Sequence, residues 1–167
     1  MDKTLVLLYH GVTNSKNDKS SIRNYNYKHL PVNLFEKQIY MISKTCNIIS
    51  INKFVENWIN NIKNPKNTVV ITFDDGFKNN FDIAVPILEK YSVPATFYVS
   101  TGNISTSDFF WVDNLELAFD KTKIKEINKE RSKFIFEITY PLFNLNNKYL
   151  NNNNKILALH FIKKKLK

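Results

Sequence analysis

Glycine is scarce in this chain, with 3 in 167 residues. No Gly-rich phosphate-binding loop stands out, and no Ser-His-Asp order does either. Cysteine occurs once, at Cys46, which excludes an internal disulfide framework. Beside Thr45 and Ile48 it reads as a small, half-buried residue rather than a nucleophile. Long hydrophobic runs are also missing. The longest near the start, Leu5–Leu8, is too short for the core of a signal peptide, and no stretch approaches a membrane span. A soluble, cytoplasmic chain without a membrane span is the expectation. Histidine is limited to His10, His29 and His160, and no two of them sit at metal-ligand spacing.

What is present bounds the class. A length of 167 residues suits one domain with a core able to fold, and the hydrophobic fraction of 43% argues against wholesale disorder. Asparagine is abundant, with 24 residues, and reads as compositional drift at solvated positions. The net charge of +9 is confined to one end. Residues 1–120 carry 12 basic and 12 acidic side chains, while residues 121–167 carry 12 basic and 3 acidic. The charge therefore belongs to the tail. No recognised nucleic-acid module accompanies it, so no nucleic-acid partner is expected.

The hydrophobic pattern alternates strand and helix. Thr4–Tyr9 reads as a buried strand ending at His10–Gly11, and residues 12–32 as a long polar loop. Asn33 looks like the N-cap of a helix carrying Leu34, Phe35, Ile39 and Ile42. Asn47–Ile51 reads as a short strand. Lys53–Ile62 reads as a helix with Phe54, Trp58 and Ile62 on its inner face. Thr68–Phe73 is an unbroken β-branched and apolar run of the kind that suits a central parallel strand. Asn80–Tyr91 reads as a helix with Phe81, Ala84, Val85, Leu88 and Tyr91 inward, and Val93–Val99 as another buried strand. Strand, helix, strand with short links is a βαβ unit, which implies an α/β fold with a parallel sheet or barrel. Residues 108–120 and 155–167 look helical, and Phe134–Tyr140 alternates like a strand.

In such folds ligands bind at the carboxyl ends of the strands. Asp74–Asp75 is the informative pair, because two adjacent carboxylates disfavour each other's ionisation unless a cation joins them. A bound cation would let one carboxylate ligate while the other accepts a proton. The residues alone leave a second reading open, in which the pair forms an Asx-type turn that caps the next helix. His10 is a weak candidate for binding or acid chemistry. His29, in the polar loop, reads as solvated, and His160 as a surface residue of the tail helix.

Three segments then carry a resemblance. Thr72-Phe73-Asp74-Asp75-Gly76, Ala84-Val85-Pro86-Ile87-Leu88 and Val93-Pro94-Ala95-Thr96-Phe97-Tyr98-Val99 together resemble the polysaccharide deacetylases, the NodB-like carbohydrate esterases. Leu8-Tyr9-His10-Gly11-Val12 and Phe35-Glu36-Lys37-Gln38-Ile39 are similar to one branch of that family, so the likeness covers roughly residues 4–120. The resemblance implies an α/β fold, the N-terminal part of a distorted (β/α) barrel of the polysaccharide-deacetylase type. It implies hydrolytic removal of acetyl from N-acetylated sugars of a polysaccharide or its precursor. It also implies Asp74 as the catalytic base and Asp75 as a ligand of a divalent metal, most often Zn2+. The family's pair of histidine ligands and its later acid histidine have no match in this chain. One carboxylate does not make a zinc site, which takes about three protein ligands.

The implied organisation is residues 1–120 as the N-terminal part of the deacetylase domain, with residues 121–167 a basic Asn/Lys-rich insert or linker. A chain with these parts is expected to be inactive alone, and to self-associate through the exposed faces of a partial barrel. The alternative is a non-catalytic carbohydrate-binding or pseudoenzyme domain, with Phe109, Phe110 and Trp111 stacking on sugar rings.

Overall fold

The computed structural model describes residues 4–14, 24, 27–104, 110–121, 156, 159–160 and 163. The chain divides into two compact units. One comprises Met1–Lys16 with Asn26–Ile104, the other Asn17–Tyr25 with Ser105–Lys167.

The first unit is built on a parallel sheet centred on Thr68–Phe73. In chain order its elements are β1 (Leu5–Tyr9), β2 (Gly11–Thr13), β3 (His29–Pro31), α1 (Val32–Thr45), β4 (Asn47–Ile48), α2 (Ile51–Ile59), β5 (Thr68–Phe73), α3 (Val85–Lys90) and β6 (Thr96–Phe97). β1 lies along one side of β5, from Leu5 beside Val69 to Tyr9 beside Phe73. On the other side β4 pairs with the start of β5 and β6 with its end, Thr96 beside Thr72 and Phe97 beside Phe73. Every one of these pairings is parallel. β2 and β3 form a separate two-stranded parallel sheet.

All six residues of β5 are buried, as the unbroken run predicts. Its two hydroxyls have partners: Thr68 Oγ1 donates to the Pro65 carbonyl and Thr72 Oγ1 to the Leu7 carbonyl. Helix α1 covers one face with Phe35 and Ile39, and α3 adds Ile87 and Leu88.

Several elements depart from the sequence reading. Among the described elements β1 is an edge strand rather than a buried one, with Leu5, Val6 and Leu8 exposed. The polar segment 12–32 is not all loop, since β2 and β3 use its two ends. Because β3 runs straight into α1, Pro31 stands at the cap position and Asn33 is already helical. Helix α2 starts at Ile51 because the Ser50 side chain accepts from the Lys53 amide. It ends at Ile59, which leaves Ile62 beyond it. Its buried residue is Asn57, while Trp58 is 74% exposed. Polar bonding explains that inversion: Asn57 Nδ2 donates to Asn64 Oδ1, and Asn64 Nδ2 donates to Thr4 Oγ1.

The helix after β5 begins at Lys78 and widens into a π turn over Asn80–Ala84, in which the Val85 amide donates to the Asn80 carbonyl. Pro86 has no amide proton to give a regular turn. The wider turn shifts the helical phase, so Phe81 is 76% exposed while Ala84 is buried. Of the predicted strand Val93–Val99 only Thr96–Phe97 pairs, since Pro94 cannot donate to a ladder.

In the second unit α4 (Trp111–Lys121) buries Glu116 and Phe119. Lys163 Nζ pairs with Glu116 Oε1. Ile156, Leu159, His160 and Lys163 are helical, with Leu159 buried and His160 exposed. The strand expected at Phe134–Tyr140 lies outside the described residues. Among the described residues no helix is long and apolar enough to cross a membrane.

Candidate active site at the strand ends

Because β1, β5 and β6 run parallel, their carboxyl ends share one face. The last residues of these strands are aromatic and stacked. Tyr9 and Phe73 have ring centroids 5.3 Å apart, and Phe73 and Phe97 4.7 Å apart. Phe35 meets Tyr9 edge-on from α1. Burial pushes the Tyr9 phenol above its ordinary pKa, and its hydroxyl donates to Gln38 Oε1 at 3.0 Å.

Beyond this aromatic floor the chains turn outward at His10, Asp74 and Tyr98. The Asp74 amide donates to the Tyr9 carbonyl at 2.9 Å, and the Tyr98 amide to the Phe73 carbonyl at 2.8 Å. Asp75 and Gly76 are both left-handed, with φ of 71° and 70°. Glycine is required at the second position for two reasons: the φ itself, and a Cβ that would stand 2.8 Å from Val99 Cγ1. Aspartate tolerates the first better than most residues do.

The β2–β3 sheet brings a distant segment to this turn. Lys28 Nζ lies 3.7 Å from Asp75 Oδ2 and 4.4 Å from the centre of the Phe77 ring. His29 packs edge-on against Phe77, with ring centroids 4.7 Å apart. The Asn79 side-chain amide and His29 Nδ1 are hydrogen-bonded at 2.9 Å. Asn80 Nδ2 donates to the His10 carbonyl, also at 2.9 Å. Gly11 allows this closeness, because a Cβ there would collide with the His29 ring and the Asn79 carbonyl.

Asp74, Asp75 and His10 thus fall at one end of the sheet, with His10 held by its backbone rather than its ring. His29 is not solvated as its loop position suggested. It is half-buried and bonded to Asn79. His160 belongs to the other unit. Asp75 lies three residues before Lys78, where the following helix begins. Sequence reasoning missed Lys28, Asn79 and Asn80, whose roles exist only through a pairing of segments some fifty residues apart. An open groove of about 630 Å³ between α2 and β6, lined by Val55, Ile59 and Tyr98, contains none of the expected site residues.

The family model described as polysaccharide deacetylase matches residues 61–140, a span that includes β5, the Asp74–Asp75 turn and β6. That span, just under half of the chain, is similar to part of a polysaccharide deacetylase domain. A relative of this domain is the poly-beta-1,6-N-acetyl-D-glucosamine N-deacetylase of Staphylococcus aureus (strain MSSA476). It is 27% identical over 93% of this chain and 53% of its own length. The enzyme of the same name from Staphylococcus epidermidis is 43% identical over 47 residues. The chain therefore spans about half the length of the curated relatives it matches along its whole extent. Two solved structures share the deacetylase fold. IcaB from Ammonifex degensii has a TM-score of 0.53 at 23% identity, covering 64% of this chain and 42% of its own. The Streptococcus pyogenes deacetylase PplD has a TM-score of 0.53 at 17% identity, covering 94% and 79%. These confirm the α/β class and the partial barrel.

Polysaccharide deacetylases are in general metal-dependent. The described residues of this chain do not fit a metal on their own. No group of three His, Cys, Asp or Glu side chains could hold an ion among them, and the carboxylate expected to ligate faces an ammonium.

Proposed function

We propose that the chain is the N-terminal part of a hydrolase that removes acetyl groups from N-acetylated sugars of a polysaccharide or its precursor. The observation that supports this reading is the placement of Asp74 and Asp75 on the left-handed turn at the carboxyl end of β5, within the span the deacetylase model matches. In the reaction, water adds to the acetyl carbonyl, the carbon–nitrogen bond breaks, and acetate and a protonated amine leave. Asp74 is assigned the proton of the attacking water. Asp75 is assigned as a ligand of Zn2+, and the family's histidine ligands have no match in this chain. Residues 1–120 form the catalytic part in this reading, and residues 121–167 an insert or linker.

Calorimetric titration of Zn2+ into the chain and into Asp75→Asn tests the assignment, alongside release of free amine from N-acetylglucosamine oligomers. One-site binding lost in Asp75→Asn supports the ligand assignment; the chain alone is expected to release little amine, and any release is expected to be lost in Asp74→Asn. Saturable oligomer binding with neither zinc uptake nor amine release would instead establish a carbohydrate-binding domain without catalysis.

A further inference from the structure

The carboxylate assigned to a metal already has a cation beside it. Lys28 is brought there by design of the chain path. β1 ends at Tyr9, β2 continues past His10, and β3 returns alongside β2 with Lys28 just before its first residue. Three contacts then fix that corner: Asn80 holds the His10 carbonyl, Asn79 holds the His29 ring, and His29 packs on Phe77. Phe77 in turn presents its ring to the Lys28 ammonium at 4.4 Å. The Lys28 side chain is only 14% exposed and that of Asp75 30%, so both heads are largely withdrawn from water. A lysine placed casually on a surface would keep its ammonium solvated.

We propose that Lys28 is the resident counter-cation of Asp75, holding this carboxylate in the metal-free chain. The ammonium stands within 4 Å of Asp75 Oδ2, so a divalent ion that reached that oxygen would meet like charge at close range. Lys28 is thus a positioning residue for Asp75. It explains how the turn tolerates a carboxylate next to Asp74 with no metal set among the described residues. The inference rests on Asp75 as a site residue, which the proposed function also uses.

Acetylation of lysines by an amine-selective reagent, followed by peptide mass spectrometry, reads the pairing directly. Lys78, with its side chain 89% exposed, serves as the internal standard. In the wild-type chain Lys28 is expected to react several-fold more slowly than Lys78. In Asp75→Asn, where asparagine keeps the left-handed turn, Lys28 is expected to react several-fold faster than in wild type. Equal Lys28 reactivity in the two chains overturns the inference, whatever zinc does. The Lys28→Met variant provides a second measurement: a zinc affinity above that of wild type, abolished by adding Asp75→Asn, supports the proposal. A difference in labelling with no Asp75-dependent zinc binding in any variant would strike the ligand assignment and leave the pairing standing.

Discussion

Two strands of the same sheet have nearly the same chemistry and opposite fates. β5 reads Thr-Val-Val-Ile-Thr-Phe and is buried along its whole length, whereas β1 reads Leu-Val-Leu-Leu-Tyr and exposes Leu5, Val6 and Leu8, the last to 55%. They lie side by side in parallel register. What separates them is what covers them. β5 has β1 on one side, β4 and β6 on the other, and α1 and α3 on a face, while β1 has one neighbouring strand among the described elements. An apolar run thus reports the surroundings a strand is suited to, and burial reports the surroundings it has.

The sharpest way to break this comparison is a pair of truncations followed by urea unfolding. Ile71→Ala in β5 is expected to cost ~2–5 kcal/mol, the usual range for emptying a packed site. Leu8→Ala in β1 is expected to cost less than about 1 kcal/mol. Similar midpoints for the two variants would mean that β1 is covered in solution. Next in size is Gly76→Ala at the end of β5. The positive φ alone costs about 1–2 kcal/mol for a residue with a Cβ, and the contact with Val99 adds to it.

Smaller again is an effect on association. Exposed leucines on an edge strand favour pairing between copies, so the double substitution Leu5→Lys and Leu8→Lys is expected to move a sizing profile towards the monomer without lowering the urea midpoint. An unchanged profile would place self-association elsewhere or nowhere.

The smallest effect concerns the helices that cover β5. Glu36 accepts from Lys90 at 2.7 Å and from the Tyr91 hydroxyl at 3.2 Å, and the Lys90 bond, foremost, lowers its pKa. A depressed carboxylate stabilises the fold at pH values above its unfolded pKa, and that contribution is lost as pH falls through the folded value. The stability advantage of wild type over Glu36→Gln is therefore expected at neutral pH, and should shrink as pH falls below the ordinary glutamate range and through the lowered folded value. An advantage that grew on acidification would contradict the bond.

Legibility in the sequence followed the same divide. β5, the helix α1 and the Asp74–Asp75 turn were readable because local pattern and tertiary surroundings agree there. The family's ordered motifs added the fold class. The face of α2 was misjudged because Asn57 and Asn64 bond to each other and to Thr4, and polar partners are invisible to a count of apolar spacing. Phe81 was misjudged because the π turn changes the period part-way along a helix. Lys28 and His29 were read as loop residues, since only the pairing of β2 with β3 brings them to the corner beside the Asp74–Asp75 turn.

The π turn at Asn80–Ala84 also bears on how this segment tolerates changes in winding. A five-residue hydrogen-bonded loop in a helix is equivalent to one inserted residue. Winding the same residues as a regular α-helix, with none removed, would rotate everything beyond the segment relative to everything before by up to about 100°, the angle of one residue. The helix would then have to choose between two anchors that it now satisfies together: Asn79 and Asn80 on the β2–β3 corner, or Ile87 and Leu88 in the core. The extra residue lets one rigid element hold the β2–β3 corner at one end and the core packing at the other.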